Sequence, residues 1–178
     1  MEQMNQAYKV FTRICLNNWH YIDRKVLGLN ESINFFTGHS GSGKSTVIDA
    51  MQIVLYANTD GRGFFNKAAA DDSDRSLIEY LRGMINIGEN NQAEYKRNKN
   101  FSTTIVLEME QTITKEKECI GVVFDVETAT NEINRLFFWH KGELIPGDYR
   151  TESRAMTISE VRSYLQQNFP KDEMFYTS

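Results

Sequence analysis

Apolar and polar residues alternate over short stretches near the start of the chain and again across its second half. Arg13–Trp19 (RICLNNW) is a short mixed run compatible with a strand. Val26–Phe36 (VLGLNESINFF) reads as two extended pieces broken by Asn30, Glu31 and Ser32, whose side chains favour turns. The pattern then changes. From Ser45 to Tyr56 (STVIDAMQIVLY) apolar groups fall on nearly all sides, which predicts a buried helix rather than a surface one. A cluster of breakers at residues 58–63 (NTDGRG) ends it. Arg75–Arg82 has the apolar spacing of a short helix, with Asp71, Asp72 and Asp74 near its positive end. Residues 89–100 are polar and predicted to be exposed. Ser102–Glu110, Cys119–Glu127 and Ile133–His140 then read as strands, and the gaps between them are too short for crossover helices, so they predict an antiparallel meander. Thr157 to Glu160 is a capping box, with Met156 and Val161 placed as a hydrophobic staple, and the helix it opens stops before Pro170.

Composition narrows the class. The 178 residues suit one domain or a large piece of one. Hydrophobic residues make up 40%, charged residues 25%, and there are only two prolines, a folding composition rather than a disordered one. Acidic residues outnumber basic ones by 24 to 20, so any nucleic-acid contact has to come from a local patch. Cys15 and Cys119 are too few for a disulfide framework and read as reduced thiols of a cytoplasmic protein. No secretory leader is visible at the start, and no uncharged apolar run approaches the length of a membrane helix.

The chemistry sits ahead of the buried helix. Gly38-His39-Ser40-Gly41-Ser42-Gly43-Lys44-Ser45 fits G-x-x-x-x-G-K-[ST], the phosphate-binding P-loop. Glycines let the chain wrap a phosphate and aim successive backbone N–H groups inward. The loop runs straight into a helix, whose unsatisfied N–H groups and positive end also face the anion, with Thr46 in that first turn. Lys44 supplies a mobile positive charge for the β- and γ-phosphates. The Ser45 hydroxyl is a hard oxygen ligand suited to Mg2+. Chance alone produces this pattern in a chain of this length on the order of once in a hundred times. Gly38 to Thr46 are therefore the candidate ATP-binding residues, Lys44 the candidate catalytic one and Ser45 the candidate metal ligand.

Other features carry less. Val122-Val123-Phe124-Asp125 resembles the apolar strand and aspartate that hold magnesium in many P-loop enzymes. The simpler reading is that Asp125 faces out of an antiparallel strand, since such aspartates close a parallel core strand. Asp60-Gly61-Arg62-Gly63 matches D-x-x-G, but no apolar strand precedes it, so it reads as a loop. Tyr95 to Lys99, with Phe101 nearby, offers a basic and aromatic stretch for nucleic acid, against the blander reading of a solvated loop. His20, His39 and His140 share no metal-ligand spacing. Trp19, His20 and Tyr21 are candidates to stack on an adenine base, though packing in the core or at an edge explains each as well.

Residues 16–19 (LNNW), 28–38 (GLNESINFFTG) and 41–51 (GSGKSTVIDAM), with Leu55, resemble the start of SMC-type ABC ATPases, which include the SMC and SbcC/Rad50-like proteins. Further along, residues 65–68 (FNKA), 73–83 (SDRSLIEYLRG) and 98–102 (NKNFS) look more narrowly like the SMC-like ATPase subunit of Wadjet plasmid-defence systems (JetC, MksB type). The resemblance implies an α/β fold: a P-loop NTPase of ABC/SMC head type, its N-terminal lobe built on a mixed core sheet and an antiparallel β meander. All of 1–178 is then that lobe: 1–60 holds strands, P-loop and helix, 61–100 a loop-rich and helical segment, and 101–178 antiparallel strands and the C-terminal helix.

That family implies ATP and Mg2+ as cofactors. It implies as partners a C-terminal head lobe, a second head in a homodimer, kleisin and winged-helix accessory subunits, a nuclease subunit and DNA, with no membrane and a coiled coil between the lobes. The chain departs from the family at Ser40, where many members have asparagine. It holds no L-S-G-G signature, no coiled coil and no apolar run ending in Asp-Glu, and its Gln166 and Gln167 fall in the predicted last helix. The expectation is an ATPase lobe that binds nucleotide and hydrolyses it only when the head is complete. The alternative is a self-contained small P-loop kinase or NTPase using Asp125 for magnesium.

Overall fold

The computed structural model describes residues 6–37, 43–56, 77–87 and 92–177. Strands β1 (Lys9–Trp19) and β2 (Ile22–Gly28) precede helices α1 (Lys44–Tyr56) and α2 (Leu77–Arg82). A small hairpin, β3 (Met84–Ile87) and β4 (Ala93–Tyr95), leads to the long strands β5 (Phe101–Gln111), β6 (Lys117–Glu127) and β7 (Glu132–Lys141), then α3 (Ile158–Asn168) and β8 (Met174–Thr177). The large sheet runs in the order β2-β1-β5-β6-β7-β8, with β3-β4 as a separate pair. The α/β class and the meander expected from β5 to β7 are both present. Every strand pair among the described residues is antiparallel, where the sequence suggested a mixed core sheet beside the meander.

Both faces of the sheet are covered over β1, β5 and β6, which splits the core by the two-residue period of the strands. On one face Ile14, Leu16, Ile105, Leu107, Val122 and Phe124 pack against Val47, Ala50, Ile53 and Val54 of α1 and against Leu77 and Leu81 of α2. On the other, Cys15, Val106, Cys119, Val123 and Leu136 pack against Val161 and Leu165 of α3 and against the 144–149 segment. Both thiols are buried and unbridged, and burial pushes each up to about 12, far from reactive thiolates.

Helix α3 begins as its sequence requires. Thr157 accepts a hydrogen bond from the Glu160 N–H at 3.3 Å, and Glu160 Oε1 accepts one from the Thr157 N–H at 3.0 Å. Val161 is buried and Met156 packs beside it in the same cluster, as the staple predicts.

Near the start one element was not foreseen and one expectation fails. Trp19 pairs with Ile22, so His20 and Tyr21 form a two-residue hairpin loop. His20 takes a left-handed φ of 51°, a cost borne by packing of its ring edge-on against Tyr21 and Tyr80. The second extended piece, up to Phe36, is not a strand. Asn34 Oδ1 accepts from the Asn30 N–H at 2.6 Å and Asn34 Nδ2 donates back to the Asn30 carbonyl at 2.9 Å, a local turn that competes with strand pairing. Ile33 and Phe35 consequently stay exposed.

Candidate nucleotide-binding site

Helix α1 starts at Lys44, one residue from the predicted boundary. Gly43 precedes it at φ +89°, a left-handed conformation that a side chain would strain, and its carbonyl accepts the Val47 N–H at 3.3 Å. Gly38, His39, Ser40, Gly41 and Ser42 lie outside the described residues. Gly43, Lys44, Ser45 and Thr46 are described: Lys44 is half-buried, Ser45 exposed and Thr46 buried. Ser45 therefore points its turn of the helix outward while Thr46 faces the core.

A cleft of about 470 Å³ opens at this turn. Gly43, Lys44, Thr46 and Val47 form one side, Tyr21, Ile22, Lys25 and Leu27 of the first hairpin another, and Phe35, Phe36 and Thr37 the rest. Its lining carries two lysines and no carboxylate, over an otherwise largely apolar wall. The size falls in the usual range for a small-molecule site. A helix N-terminus and a lysine in its lining suit phosphate groups, and Ser45, exposed between Lys44 and Thr46, adjoins it in sequence. The aromatic and aliphatic far side suits a flat base. The donors present thus fit a nucleotide triphosphate, and the Ser45 hydroxyl fits one ligand position of a magnesium ion. No group of three His, Cys, Asp or Glu among the described residues could hold a metal by itself.

The three aromatic candidates at the β1–β2 turn separate by burial. Trp19 is fully buried and His20 nearly so. Tyr21 is 48% exposed and reaches the cleft, its ring steadied by a hydrogen bond from its hydroxyl to the Met84 carbonyl at 2.6 Å. Of these three, Tyr21 alone lines the cleft.

Asp125 is elsewhere. Its neighbour Phe124 packs on the α1 face, so the strand's alternation turns Asp125 to the α3 face. There its Oδ1 accepts from Ser102 Oγ at 2.7 Å and from the Ile158 N–H at 3.1 Å, at the first residue of α3. The carboxyl pins a helix start. The alternative in which Asp125 binds magnesium for the P-loop is contradicted by this geometry: the sheet stands between them. Gln166 and Gln167 lie in α3, as predicted, and Gln166 Nε2 donates to the Tyr176 hydroxyl at 2.6 Å.

The basic stretch at residues 95–99 also changes meaning. Arg97 is buried, not solvated, and its guanidinium donates to the carbonyls of His20 (2.7 Å), Leu81 (2.9 Å) and Ile22 (3.1 Å) and to Asp23 Oδ1 (3.3 Å). Burial lowers its pKa, with the Asp23 carboxylate acting in the opposite sense. Arg82 lies over the Tyr95 ring at 4.1 Å and donates to Asn131 Oδ1 at 2.8 Å. Both arginines fasten β4 and α2 to the sheet, which takes Arg97 out of any nucleic-acid surface. Lys96 is partly exposed and paired with Asp23 at 2.8 Å.

A second ion pair, with its carboxylate buried and its arginine partly exposed, holds the opposite face. Glu108 is fully buried and accepts from Arg13 (2.6 and 2.9 Å), Thr12 Oγ1 (2.7 Å) and the Leu144 N–H (3.0 Å). Burial raises its pKa, but Arg13, Leu144 and Thr12 more than offset that and bring it down to about 2. On the same side His140 Nε2 lies 2.6 Å from the Tyr149 hydroxyl, and burial pulls the imidazole below its usual range.

Residues 11–72 match the family model of the P-loop containing region of AAA domain. The matched segment holds most of β1, all of β2 and α1, and the cleft, and it is a minority of the chain. No curated protein matches. A solved structure from work on ATP-driven dimerization and DNA-stimulated activation of SMC ATPases is 15% identical, with a TM-score of 0.44, covering 88% of this chain and 78% of that one. That likeness is too distant to carry an argument. No helix among the described residues is long and apolar enough to cross a membrane.

Proposed function

We propose that this chain is the ATP-binding lobe of an SMC-like DNA-organising ATPase, serving as part of the motor subunit of a Wadjet-type plasmid-defence complex in the cytoplasm. The observation that carries the nucleotide reading is the cleft at the start of α1, lined by Gly43 and Lys44 together with Tyr21 and Phe35. Backbone N–H groups of the α1 first turn and the Lys44 ammonium hold the phosphates, and Ser45 supplies an oxygen to Mg2+. The bound ion neutralises phosphate charge. Tyr21 meets the base. The Wadjet reading rests on the stretches at residues 65–68, 73–83 and 98–102.

Phosphoryl transfer depends on positioning and charge stabilisation, plus a group that orients the attacking water. The cradle is on the α1 face, and Asp125, the sequence's candidate for the missing acid, is on the other. On this reading the water-orienting group comes from a C-terminal lobe and a second head, with kleisin, winged-helix and nuclease subunits and DNA as further partners.

Equilibrium titration of the purified chain with Mg-ATP tests this. Wild type binds, Lys44→Ala loses most of the affinity, and neither turns ATP over at steady state. Robust hydrolysis by the isolated chain that Lys44→Ala abolishes overturns the lobe reading; equal binding by both proteins overturns the site.

A further inference from the structure

The first turn of α1 is held from the side by residues that never reach the cleft. Tyr80 of α2 is buried, and its hydroxyl donates to Asp49 Oδ2 at 2.6 Å. That distance is in the short range of O–H bonds to carboxylates. Asp49 is itself 1% exposed and lies one helical turn beyond Ser45, about 6 Å along the axis. The ring of Tyr80 stacks on Trp19 with centroids 5.1 Å apart and planes 16° from parallel. Trp19 in turn donates through Nε1 to the Thr46 carbonyl at 2.8 Å, in the same turn as Lys44 and Ser45. Two side chains, one from β1 and one from α2, thus grip α1 at successive turns and touch each other.

Tyr80 is held just as firmly. Its carbonyl accepts the His20 N–H at 2.8 Å, and the next carbonyl, that of Leu81, accepts Arg97 Nη1 at 2.9 Å. Gly83 lets the chain pass there: a Cβ at this position would meet the His20 carbonyl oxygen at 2.7 Å, and its φ is +66°. The path from the β3–β4 hairpin to α1 runs through Arg97, α2 and Tyr80 without a mobile side chain on an exposed surface.

We propose that Tyr80 is a positioning residue for the nucleotide site: its hydroxyl on Asp49 and its ring on Trp19 set the pose of the α1 turn that carries Lys44 and Ser45. Helix α2 and Arg97 thereby tune nucleotide affinity without contacting nucleotide. This inference rests on the reading of α1 as the phosphate cradle.

The test uses the full chain and Tyr80→Phe, which keeps the stacked ring and removes only the hydroxyl. The expected result is a rise of about three- to tenfold in the Kd for Mg-ATP, a fraction of one hydrogen bond to a carboxylate, because only the part that differs between free and bound states moves the affinity. A cycle with Asp49→Ala should show that Tyr80→Phe adds little once the acceptor is gone. Amide hydrogen exchange on the nucleotide-free proteins supplies an independent arm: exchange at Val47 to Met51 should quicken in Tyr80→Phe, while the β5–β7 amides stay as in wild type. A lower melting temperature with an unchanged Kd and unchanged α1 exchange overturns the proposal, because that is the signature of a packing role alone. If wild type binds no Mg-ATP, the site reading fails, and the exchange arm still decides whether Tyr80 positions α1.

Discussion

Replacing Asp125 separates an aspartate that serves chemistry from one that serves architecture. In the structure its carboxyl accepts Ser102 Oγ at 2.7 Å and the Ile158 N–H at 3.1 and 3.3 Å. Asp125→Ala leaves two donors in partly buried surroundings without that acceptor. Each lost hydrogen bond costs about 0.5–1.5 kcal/mol net, with a further penalty for a donor left unsatisfied, so the total comes to about 2–3 kcal/mol. For a chain of this size each kcal/mol moves the melting temperature by about 2–4 °C, which places the loss at roughly 5–10 °C. The assay is a thermal melt of both proteins by circular dichroism, alongside an equilibrium titration with Mg-ATP well below either transition. The Kd should agree within about twofold, since less than 0.5 kcal/mol of coupling is expected across the sheet. Asp125→Asn, which keeps an acceptor oxygen, should melt closer to wild type. A melting temperature that does not move, together with loss of nucleotide binding or turnover, would refute the reasoning and restore Asp125 as a magnesium ligand.

The remaining expectations concern acid and the cradle. Glu108 is fully buried and its pKa falls from 4.5 to about 2, so the folded state holds this proton less tightly than the unfolded chain. Its contribution, on the order of 3 kcal/mol at 1.36 kcal/mol per pKa unit, is complete above about pH 5 and drains away as pH falls towards 2. Urea melts between pH 7 and pH 2.5 should show that loss in wild type and a flatter profile in Glu108→Gln; parallel profiles would count against it. Tyr80→Phe and Lys44→Ala should both weaken Mg-ATP binding, the second far more than the first, in the titrations already set out.

Much of the architecture was legible because it depends on neighbours in sequence. The apolar coat of residues 45–56 and the short polar gaps between the later strands each point to one arrangement, and α1 and the β5–β7 meander follow them. The Thr157 and Glu160 box marks the start of α3 for the same reason: donor and acceptor are three residues apart. The early hairpin was hidden because its turn, His20-Tyr21, carries no glycine and no Asn-Gly or Asp-Gly pair, and distant packing meets the cost of the positive φ at His20. The strand expected before the P-loop gave way to the Asn30–Asn34 turn, whose bonds are local but compete silently with an apolar pattern.

The site divides along the same line. Gly43, Lys44 and Ser45 are candidates from a motif whose chemistry is contiguous in sequence, and the structure puts Gly43 and Lys44 in the cleft lining. Tyr21 stood among three neighbouring aromatics, and only burial tells them apart. Arg97 gave no sign of its role, since the carbonyls that neutralise its isolation come from residues 20, 22 and 81. Asp49 and Tyr80 are separated by 31 positions, and nothing in either local pattern announces the bond between them. Asp125 offered a magnesium reading by its strand and type, the antiparallel context already spoke against it, and the alternation of faces places it away from α1.

The most direct measurement is an amide-resolved NMR titration of the chain with Mg-ATP. The account expects the largest shifts at Gly43 to Val47 and along the Tyr21 side of the cleft, with Asp125 and the start of α3 unmoved. Shifts centred on the α3 face, or none at Gly43 to Val47 at saturating nucleotide, would contradict it.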